Sequence, residues 1–415
     1  MYIESNYNHY INDGNKIKIY NAKTKACISV ENVDAIGVVL QSNDNDAINT
    51  LKELGFIVDN ADNEMSTMAY LFNKYYFGRE KTLTLILTPS LACNFKCPYC
   101  FERRDDNSDW FDVDIDSYFA KLKKFIDNNH SKYDHVLFSL FGGEPLLFFE
   151  KATAFFHSVV SGYPNLSINT SVTTNGSLLS KTVIEELIKY NCRSIQVTID
   201  GCKRVHDQLR VFKNGRPSFD LLVKKINELL PLFPDSMKFV LRVNLNNVKP
   251  DEVKNMLLCF DPDLRSKIQL LFRPIYNTNT YSECNNNKYG ELSPFLLSAR
   301  DLGFTLMKNV YKFQACESCS GDNVFFVMPD LSLWKCINDL NISEAKVGEI
   351  DNNGNIDLDA YALINWYRLC DWTVDEECRK CKMLPDCFGG CVLQKLKNNK
   401  KACREIDMNS LSFVL

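Results

Sequence analysis

From Thr82 to Pro274 the chain alternates short apolar runs with stretches that repeat apolar residues at three- and four-residue steps, and no other feature constrains its fold as strongly. Strands are expected at Leu83 to Thr88, His135 to Phe141, Leu166 to Thr173, Ser194 to Ile199, Lys238 to Asn244 and Ile268 to Pro274. Helices are expected between them, at Asp114 to Asp127, Lys151 to Val160, Lys181 to Tyr190, Phe219 to Leu230 and Glu252 to Cys259. Such alternation implies parallel strands joined by crossovers. The fold class is therefore α/β, a partial (β/α)6 TIM-like barrel over residues 81–275 that stops short of closure.

In barrels of this kind ligands gather at the C-terminal ends of the strands. The polar signals lie there. Cys93-x3-Cys97-x2-Cys100 follows the first strand, Gly142-Gly143-Glu144-Pro145 the second and Thr174-Asn175-Gly176 the third. Thr198-Ile199-Asp200-Gly201 ends the fourth, with His206, Asp207 and Arg210 beyond it.

Residues 1–80 carry one cysteine, Cys27, and read as a separate module. Lys16 to Tyr20 and Cys27 to Val30 form a hairpin around a turn at Asn21 to Lys25. Val33 to Leu40 and Asp46 to Leu54 have helical spacing, Gly55 is a helix stop, and Phe56 to Val58 returns as a strand. This order suggests a winged-helix-like unit, either a packing domain over one end of the barrel or a peptide-binding unit whose strand edge accepts an extended leader segment. Residues 276–310 read as a polar linker, Tyr276 to Tyr289, and a bridging helical stretch from Leu292 to Asn309.

Residues 311–415 are dense in cysteine: Cys316-x2-Cys319, Cys336, Cys370, Cys378-x2-Cys381-x5-Cys387-x3-Cys391 and Cys403. At about 150 residues per domain, 415 residues allow two to four domains. A net charge of -4 gives no reason to expect nucleic-acid binding. The N-terminus lacks a signal-peptide pattern, and no apolar run reaches the ~18 residues of a membrane span. A cytoplasmic, non-membrane protein is expected. In a reducing compartment 17 idle cysteines would be unusual, so metal ligation is the economical reading.

A 4Fe-4S cluster bound entirely by thiolate takes four cysteines. The first group offers three, which leaves one iron with an open position where a substrate or cofactor binds. A zinc knuckle is the competing reading, but structural zinc takes four ligands and no His lies near Cys93 to Cys100. The triplet, with Tyr99 before its last cysteine, resembles the signature of the radical S-adenosylmethionine (SAM) enzymes. The resemblance implies that the open iron chelates the cofactor's amino and carboxylate groups, and that an electron from the cluster generates a 5'-deoxyadenosyl radical that abstracts hydrogen from substrate.

It further implies that Gly142, Gly143 and Glu144 meet the cofactor's amino group, that Thr198 meets its ribose where the family usually has Ser, and that Tyr99, Asn175, Arg210 and Arg242 belong to the cofactor site. Arg210 and Arg242 are candidates for the cofactor carboxylate, with a salt bridge the alternative for each. His206 and Asp200 read as groups that fix loops. The C-terminal cysteines resemble a SPASM extension with two auxiliary 4Fe-4S clusters, for a total of three. By order, Cys316, Cys319, Cys336 and Cys391 would hold one, and Cys378, Cys381, Cys387 and Cys403 the other. Zinc ribbons are the alternative, since they too use paired C-x2-C groups. Cys370 fits neither set and reads as a spare buried thiol or an alternative ligand. Cys27, Cys192, Cys202, Cys259 and Cys284 read as core or incidental residues.

Within the family, two activities compete. Anaerobic sulfatase maturases, which make formylglycine, typically carry an acid directly after the cysteine matching Cys336, and here that residue is Ile337, with Asp339 only later. That departure and the N-terminal module point to a maturase that installs a crosslink, a Cys thioether above all, in a ribosomally made precursor peptide. An external electron donor such as flavodoxin or ferredoxin is expected. A non-catalytic iron-sulfur or zinc protein that binds peptides is the alternative of another class.

Overall fold

The computed structural model describes residues 2–42, 44–59, 61–78, 81–102, 108–275, 292–306, 321–398 and 403. Six parallel strands form the barrel: β6 Thr82–Leu87, β7 His135–Leu140, β8 Ser167–Thr174, β9 Cys192–Asp200, β10 Lys238–Leu245 and β11 Ile268–Pro274, following the five short strands of the N-terminal module. They pair in sequence order, each crossover carrying a helix. Leu83, Leu85 and Leu87 are buried on the outer face with Val136, Phe138 and Leu140 of β7, where they meet the helix layer. The intervening residues of each strand, such as Ser139, Ser171 and Thr173, are only partly covered and face the barrel interior.

The expected helices form at Ile115–Asn129, Phe149–Gly162, Lys181–Lys189, Phe219–Leu229 and Pro250–Leu257. Capping sets their starts. Asp114 accepts from Ser117 N–H at 3.0 Å and Ser180 from Val183 N–H at 3.2 Å. A sixth helix of the barrel region, Lys203–Leu209, was not anticipated because its apolar pattern is too short to register.

The sheet does not end with the sixth barrel strand. β12, Thr305–Leu306, adds to β11, and β13, Val324–Val327, pairs in parallel with β6. β14 Ser332–Trp334, β15 Lys346–Ile350 and β16 Ile356–Leu358 then continue it as an antiparallel meander, so barrel and cysteine-rich region share one 11-stranded sheet. The stretch expected to be helical from Leu292 to Asn309 is helix only at Ser293–Asp301, because Gly303 at φ +87° ends it and the chain re-enters the sheet. Residues 307–309 and the linker Tyr276 to Tyr289 lie outside the described residues.

The N-terminal hairpin forms as β3 Lys16–Asn21 and β4 Cys27–Val30, with Asn21 Oδ1 accepting from the Lys23 and Thr24 N–H groups in its turn. A third strand, β2 Asn8–Asp13, pairs with β3. Its sequence is too polar for a strand pattern, yet Asn8 is buried through bonds to Phe56 O and Asn21. β1 Ile3–Glu4 pairs with β5 Ile57–Val58. Helices Ala35–Gln41 and Asn45–Glu53 cover these strands, with Ile19, Ile36, Leu51, Phe56 and Ile57 as a local core.

A further helix, Ala61–Phe77, carries the module to the cysteine-rich region. Phe72 meets Trp372 edge-on at 6.0 Å and Phe388 at 5.9 Å, while Lys25 pairs with the buried Asp386. The module thus seats on the C-terminal region. Phe72→Ala should open a cavity there and cost about 3 kcal/mol; urea unfolding of wild type and variant measures it, and the variant midpoint is expected to fall.

Candidate active site

The three cysteines lie in the loop between β6 and the helix Ile115–Asn129, and all three line one pocket with Leu91, Glu102, Gly143 and Lys213. The loop is pinned on two sides. On one, Lys96 N–H donates to Val211 O at 3.0 Å and Lys213 N–H to Asn94 O at 2.9 Å, with the Phe95 and Phe212 rings 4.7 Å apart. This joins it to the segment that carries Arg210. On the other, Gly143 abuts the loop's first residues: a Cβ there would sit 2.3 Å from Leu91 O and 2.4 Å from Ala92 O. Gly142, at φ +102°, would bring a Cβ within 2.8 Å of Ser90 O. The two glycines therefore dock the second strand's end on the cysteine loop.

Glu144 is fully buried, and its carboxylate accepts from Thr174 Oγ1 and Asn175 N–H at 2.7 Å and from Leu146 N–H at 3.0 Å. It ties β7 to β8 and caps the turn Pro145–Phe148. Asn175 continues from there to the cysteines: its Nδ2 donates to Asn94 Oδ1 at 2.7 Å and lies 3.8 Å from Cys93 Sγ. Burial pushes the Cys93 thiol up to about 11, against the Phe95 N–H that favours the thiolate. Bound metal reverses such a preference by displacing the proton.

A second group forms at the ends of β9 and β10. Tyr99 donates to Asp200 Oδ2 at 2.6 Å, Arg210 Nη1 donates to the Tyr99 oxygen at 3.0 Å, and Asn244 Nδ2 donates to Asp200 Oδ1 at 2.9 Å. Arg242 Nε donates to Asn244 Oδ1 at 2.8 Å, and Thr198 is the register partner of Arg242. Tyr99, Arg210, Arg242 and Thr198 are thus brought together, and Gly142, Gly143, Glu144 and Asn175 meet on the other side of the triplet. Arg210 reaches Tyr99 rather than a carboxylate, and its buried Nε–H makes no hydrogen bond. A buried guanidinium N–H close to Cys97 is a donor that an anionic group would satisfy.

His206 fixes the loop behind Asp200. Asp200 N–H donates to His206 Nδ1 at 3.2 Å, so the ring carries its proton on Nε2, which donates to Ser218 Oγ at 2.8 Å, and Ser218 in turn donates to Arg210 O at 2.5 Å. Burial holds the imidazole well below its ordinary 6.5.

Two residues of the site, Glu102 in the pocket and Asn244 in the Asp200 network, carried no role in the sequence reading. Glu102 is buried, and burial followed by the Glu144 charge pushes its carboxyl up to about 7. Asn244 joins the Asp200 network; its position two residues after Arg242, on the same strand face, was the available signal.

Residues 87–259 match the model of the radical SAM superfamily. The chain carries a radical SAM domain, and its curated relatives include enzymes of that superfamily. It is 26% identical over 238 residues to the radical SAM cyclopropyl synthase TigE of Paramaledivibacter caminithermalis, covering 52% of this chain and 48% of that one. It is 24% identical over 346 residues to the cysteine-type anaerobic sulfatase-maturating enzyme of Clostridium perfringens, covering 74% and 88%. It spans 62% of a Methanocaldococcus jannaschii relative of uncharacterised function and, in TigE, about half of the relative's length. The fold is shared with anSMEcpe with bound AdoMet, at 21% identity and TM-score 0.57 over 80% of this chain and 95% of the other. It is shared also with Streptococcus suis SuiB bound to S-adenosylmethionine, at 16% identity and TM-score 0.54 over 97% and 98%.

The radical SAM domain takes S-adenosylmethionine and a 4Fe-4S cluster, and the residues present fit both. The thiols of Cys93, Cys97 and Cys100 line one pocket, and a 4Fe-4S cluster takes its thiolates on separate irons.

The cysteines of the C-terminal region divide. Cys336 is in one apolar cluster with Cys391 packed against it, whereas Cys378 packs against the main core. Cys381 and Cys387 are partly buried in the same C-terminal region and Cys403 is exposed; Cys316, Cys319 and Cys284 lie outside the described residues. Cys192 and Cys202 are buried, Cys27 is partly buried and Cys259 is exposed.

Gly143→Ala should displace the cysteine loop, because backbone carbonyls cannot give way as a side chain would; iron bound at the first site, measured per chain after anaerobic reconstitution, is expected to fall. The His206 ring, kept neutral in the fold, binds fewer protons than in the unfolded chain. Its contribution is complete above the ordinary value of 6.5 and is lost as pH falls below it toward the lowered folded value. Denaturation midpoints between pH 7.5 and about 5 should therefore drop for wild type more steeply than for His206→Gln.

Proposed function

We propose that this radical SAM enzyme is a peptide maturase that installs a crosslink, a thioether from a substrate Cys to an acceptor carbon, in a ribosomally made precursor peptide. Bound S-adenosylmethionine supplies a hydrogen-abstracting radical. The chain's own residues hold it: the triplet carries the cluster, the Arg210 Nε–H offers a donor to the cofactor carboxylate, and Gly142 and Gly143 keep the loop in place. Glu144 and Asn175 position this wall from behind.

The observation that carries the choice of reaction is Ile337. It follows Cys336 directly and is buried in the apolar cluster that contains Cys336. The nearest acid, Asp339, is partly buried and paired with Lys397. The position where formylglycine chemistry places a base is therefore a hydrocarbon.

Two further features support the reading. One apolar cluster contains Leu91, Phe101 and Phe141 as well as Cys336 and Cys391, so the two cysteine regions share a core across which an electron released at substrate would pass to an auxiliary cluster. The fold shared with SuiB, solved with its precursor peptide SuiA, extends over the N-terminal module, and here β4 is an open edge of the three-stranded sheet. A leader segment pairing along β4 would bring the peptide to the module while its core enters the barrel. An external donor such as flavodoxin or ferredoxin would reduce the first cluster. Among the described residues no helix is long and apolar enough to cross a membrane.

The test is an anaerobic incubation of reconstituted enzyme with any small Cys-containing peptide that a neighbouring gene encodes, S-adenosylmethionine and reductant. The peptide is expected to lose two hydrogens, with fragmentation placing the bond at sulfur; a peptide of unchanged mass overturns the reading, and a carbon–carbon bond overturns the thioether. Cys97→Ala should abolish formation of 5'-deoxyadenosine.

A further inference from the structure

The pocket of the cysteine triplet meets solvent beside a cation. Of its described lining residues only Phe111 and Lys213 are exposed; Leu91, Phe95 and Glu102 are buried, and Gly143 and the three cysteines are partly covered. The cysteines are therefore reached between Phe111 and Lys213, the second of which lies just beyond Arg210.

Lys213 belongs to a tight hairpin. Phe212 N–H donates to Arg216 O at 3.0 Å and Gly215 N–H to Phe212 O at 2.8 Å, with Gly215 at φ +81° in the turn. Phe212 also pairs with Phe95 across an antiparallel bridge, where the two rings meet edge-on. Lys96 stands opposite Val211 and Lys213 opposite Asn94, each one residue on from the bridge, so both lysines lie on its other face. Diagonal positions of this kind are about 7–8 Å apart. Arg216 adds a third cation, its guanidinium 5.3 Å from the centre of the Phe212 ring.

Lys96, Lys213 and Arg216 are all exposed, and among the described residues none of them makes an ion pair. The acids of the neighbouring segment are committed elsewhere. Asp207 accepts from the Ser218 and Phe219 N–H groups at 3.1 and 2.9 Å, and Asp220 pairs with Lys203. The exposed Asp109 and Asp112 lie next to Phe111 in the chain, on the other side of the mouth. Like charges on adjacent strands with no counter-ion work against the fold. A patch of this sign favours an acidic partner, and it stands where the triplet is reached.

We infer that Lys96, Lys213 and Arg216 form the docking surface for an acidic protein that carries one electron at low potential, and that this carrier reduces the first cluster through the mouth beside Lys213. The reduced carrier is oxidised by one electron and the oxidised cluster takes that electron up, with no bond or proton transferred. Asp109 and Asp112 orient the carrier by repelling its acidic face from the Phe111 side. The inference rests on the external donor of the proposed function and is independent of the bond that the enzyme makes.

The experiment uses the full reconstituted chain with S-adenosylmethionine and without peptide. The rate of 5'-deoxyadenosine formation is compared with two reductants, an acidic flavodoxin in its hydroquinone form and the methyl viologen radical, a small cation; affinity for oxidised flavodoxin is measured by calorimetry. Lys96→Glu and Arg216→Glu, whose side chains lie outside the pocket, are combined, and Lys238→Glu, at the opposite end of the barrel where β10 begins, is the control. In the double variant both flavodoxin affinity and flavodoxin-driven rate should fall at least about tenfold at low salt. The methyl viologen rate should not fall, and the difference should shrink as salt is raised. Adding Lys213→Glu should lower the ratio of flavodoxin to methyl viologen rates further, and Lys238→Glu should leave it unchanged.

Unchanged flavodoxin affinity and rate in the double variant overturn the inference, and so does a flavodoxin rate that falls only as far as the methyl viologen rate. A loss of precursor-peptide affinity with the flavodoxin rate intact also overturns it and assigns the patch to substrate. Loss of the flavodoxin rate in an enzyme that makes no crosslink overturns the proposed reaction and leaves the docking surface standing.

Discussion

Tyr99 lies between two of the cluster-binding cysteines, and its hydroxyl is held 2.6 Å from the fully buried carboxylate of Asp200. This contact fastens a loop with no regular structure of its own to the ends of β9 and β10. Burial pushes the Asp200 carboxyl up, while the Arg210 charge and the Tyr99 and Asn244 donors oppose that shift. Asp200 is in turn anchored by the His206–Ser218–Arg210 chain of hydrogen bonds, so the group that holds the loop is itself held. A buried carboxylate that left any of these donors unmet would carry a desolvation cost of about 1–3 kcal/mol for each. The network is therefore strongly specified, and it sets where Cys97 and Cys100 stand relative to the barrel.

The second constraint is the continuity of the sheet. Because β13 pairs with β6, the strand that leads into the cysteine triplet is also the strand on which the C-terminal region is built. One apolar cluster then contains residues from both sites, Leu91 and Phe141 from one and Cys336 and Cys391 from the other. The N-terminal module closes the arrangement from outside, through Phe72 on Trp372 and Phe388 and through Lys25 on Asp386, a residue that directly precedes Cys387. The N-terminal module thus rests on the segment that carries Cys378 to Cys391.

The barrel was legible in the sequence because each of its elements obeys a local rule: a period of two or 3.6 residues, a capping Asp or Ser, a glycine at a stop. Boundaries agree to within one or two residues, as at β11, Ile268–Pro274. Elements held by long-range contacts were not legible. β2 is a strand by virtue of Asn8 and Asn21 side chains, and β12 and β13 are four residues or fewer and exist because an edge of the barrel accepts them. Gly142, Gly143 and Glu144 were expected at the cofactor's amino group; in the fold the two glycines abut the backbone of the cysteine loop, and Glu144 is bonded within the protein.

The sequence by itself determined the chemistry. Thiolate number and spacing decide what metal centre a loop can hold, and three cysteines with an open fourth position identify a radical SAM site without reference to any distant residue. Tertiary structure alone decided which residues stand around it. Whether Arg210 meets Tyr99 or a carboxylate, and which groups meet Glu144, depend on where separate strands end in space. No local pattern encodes that, because the contacts join residues tens to hundreds of positions apart and are selected by burial and hydrogen-bond satisfaction in the assembled core.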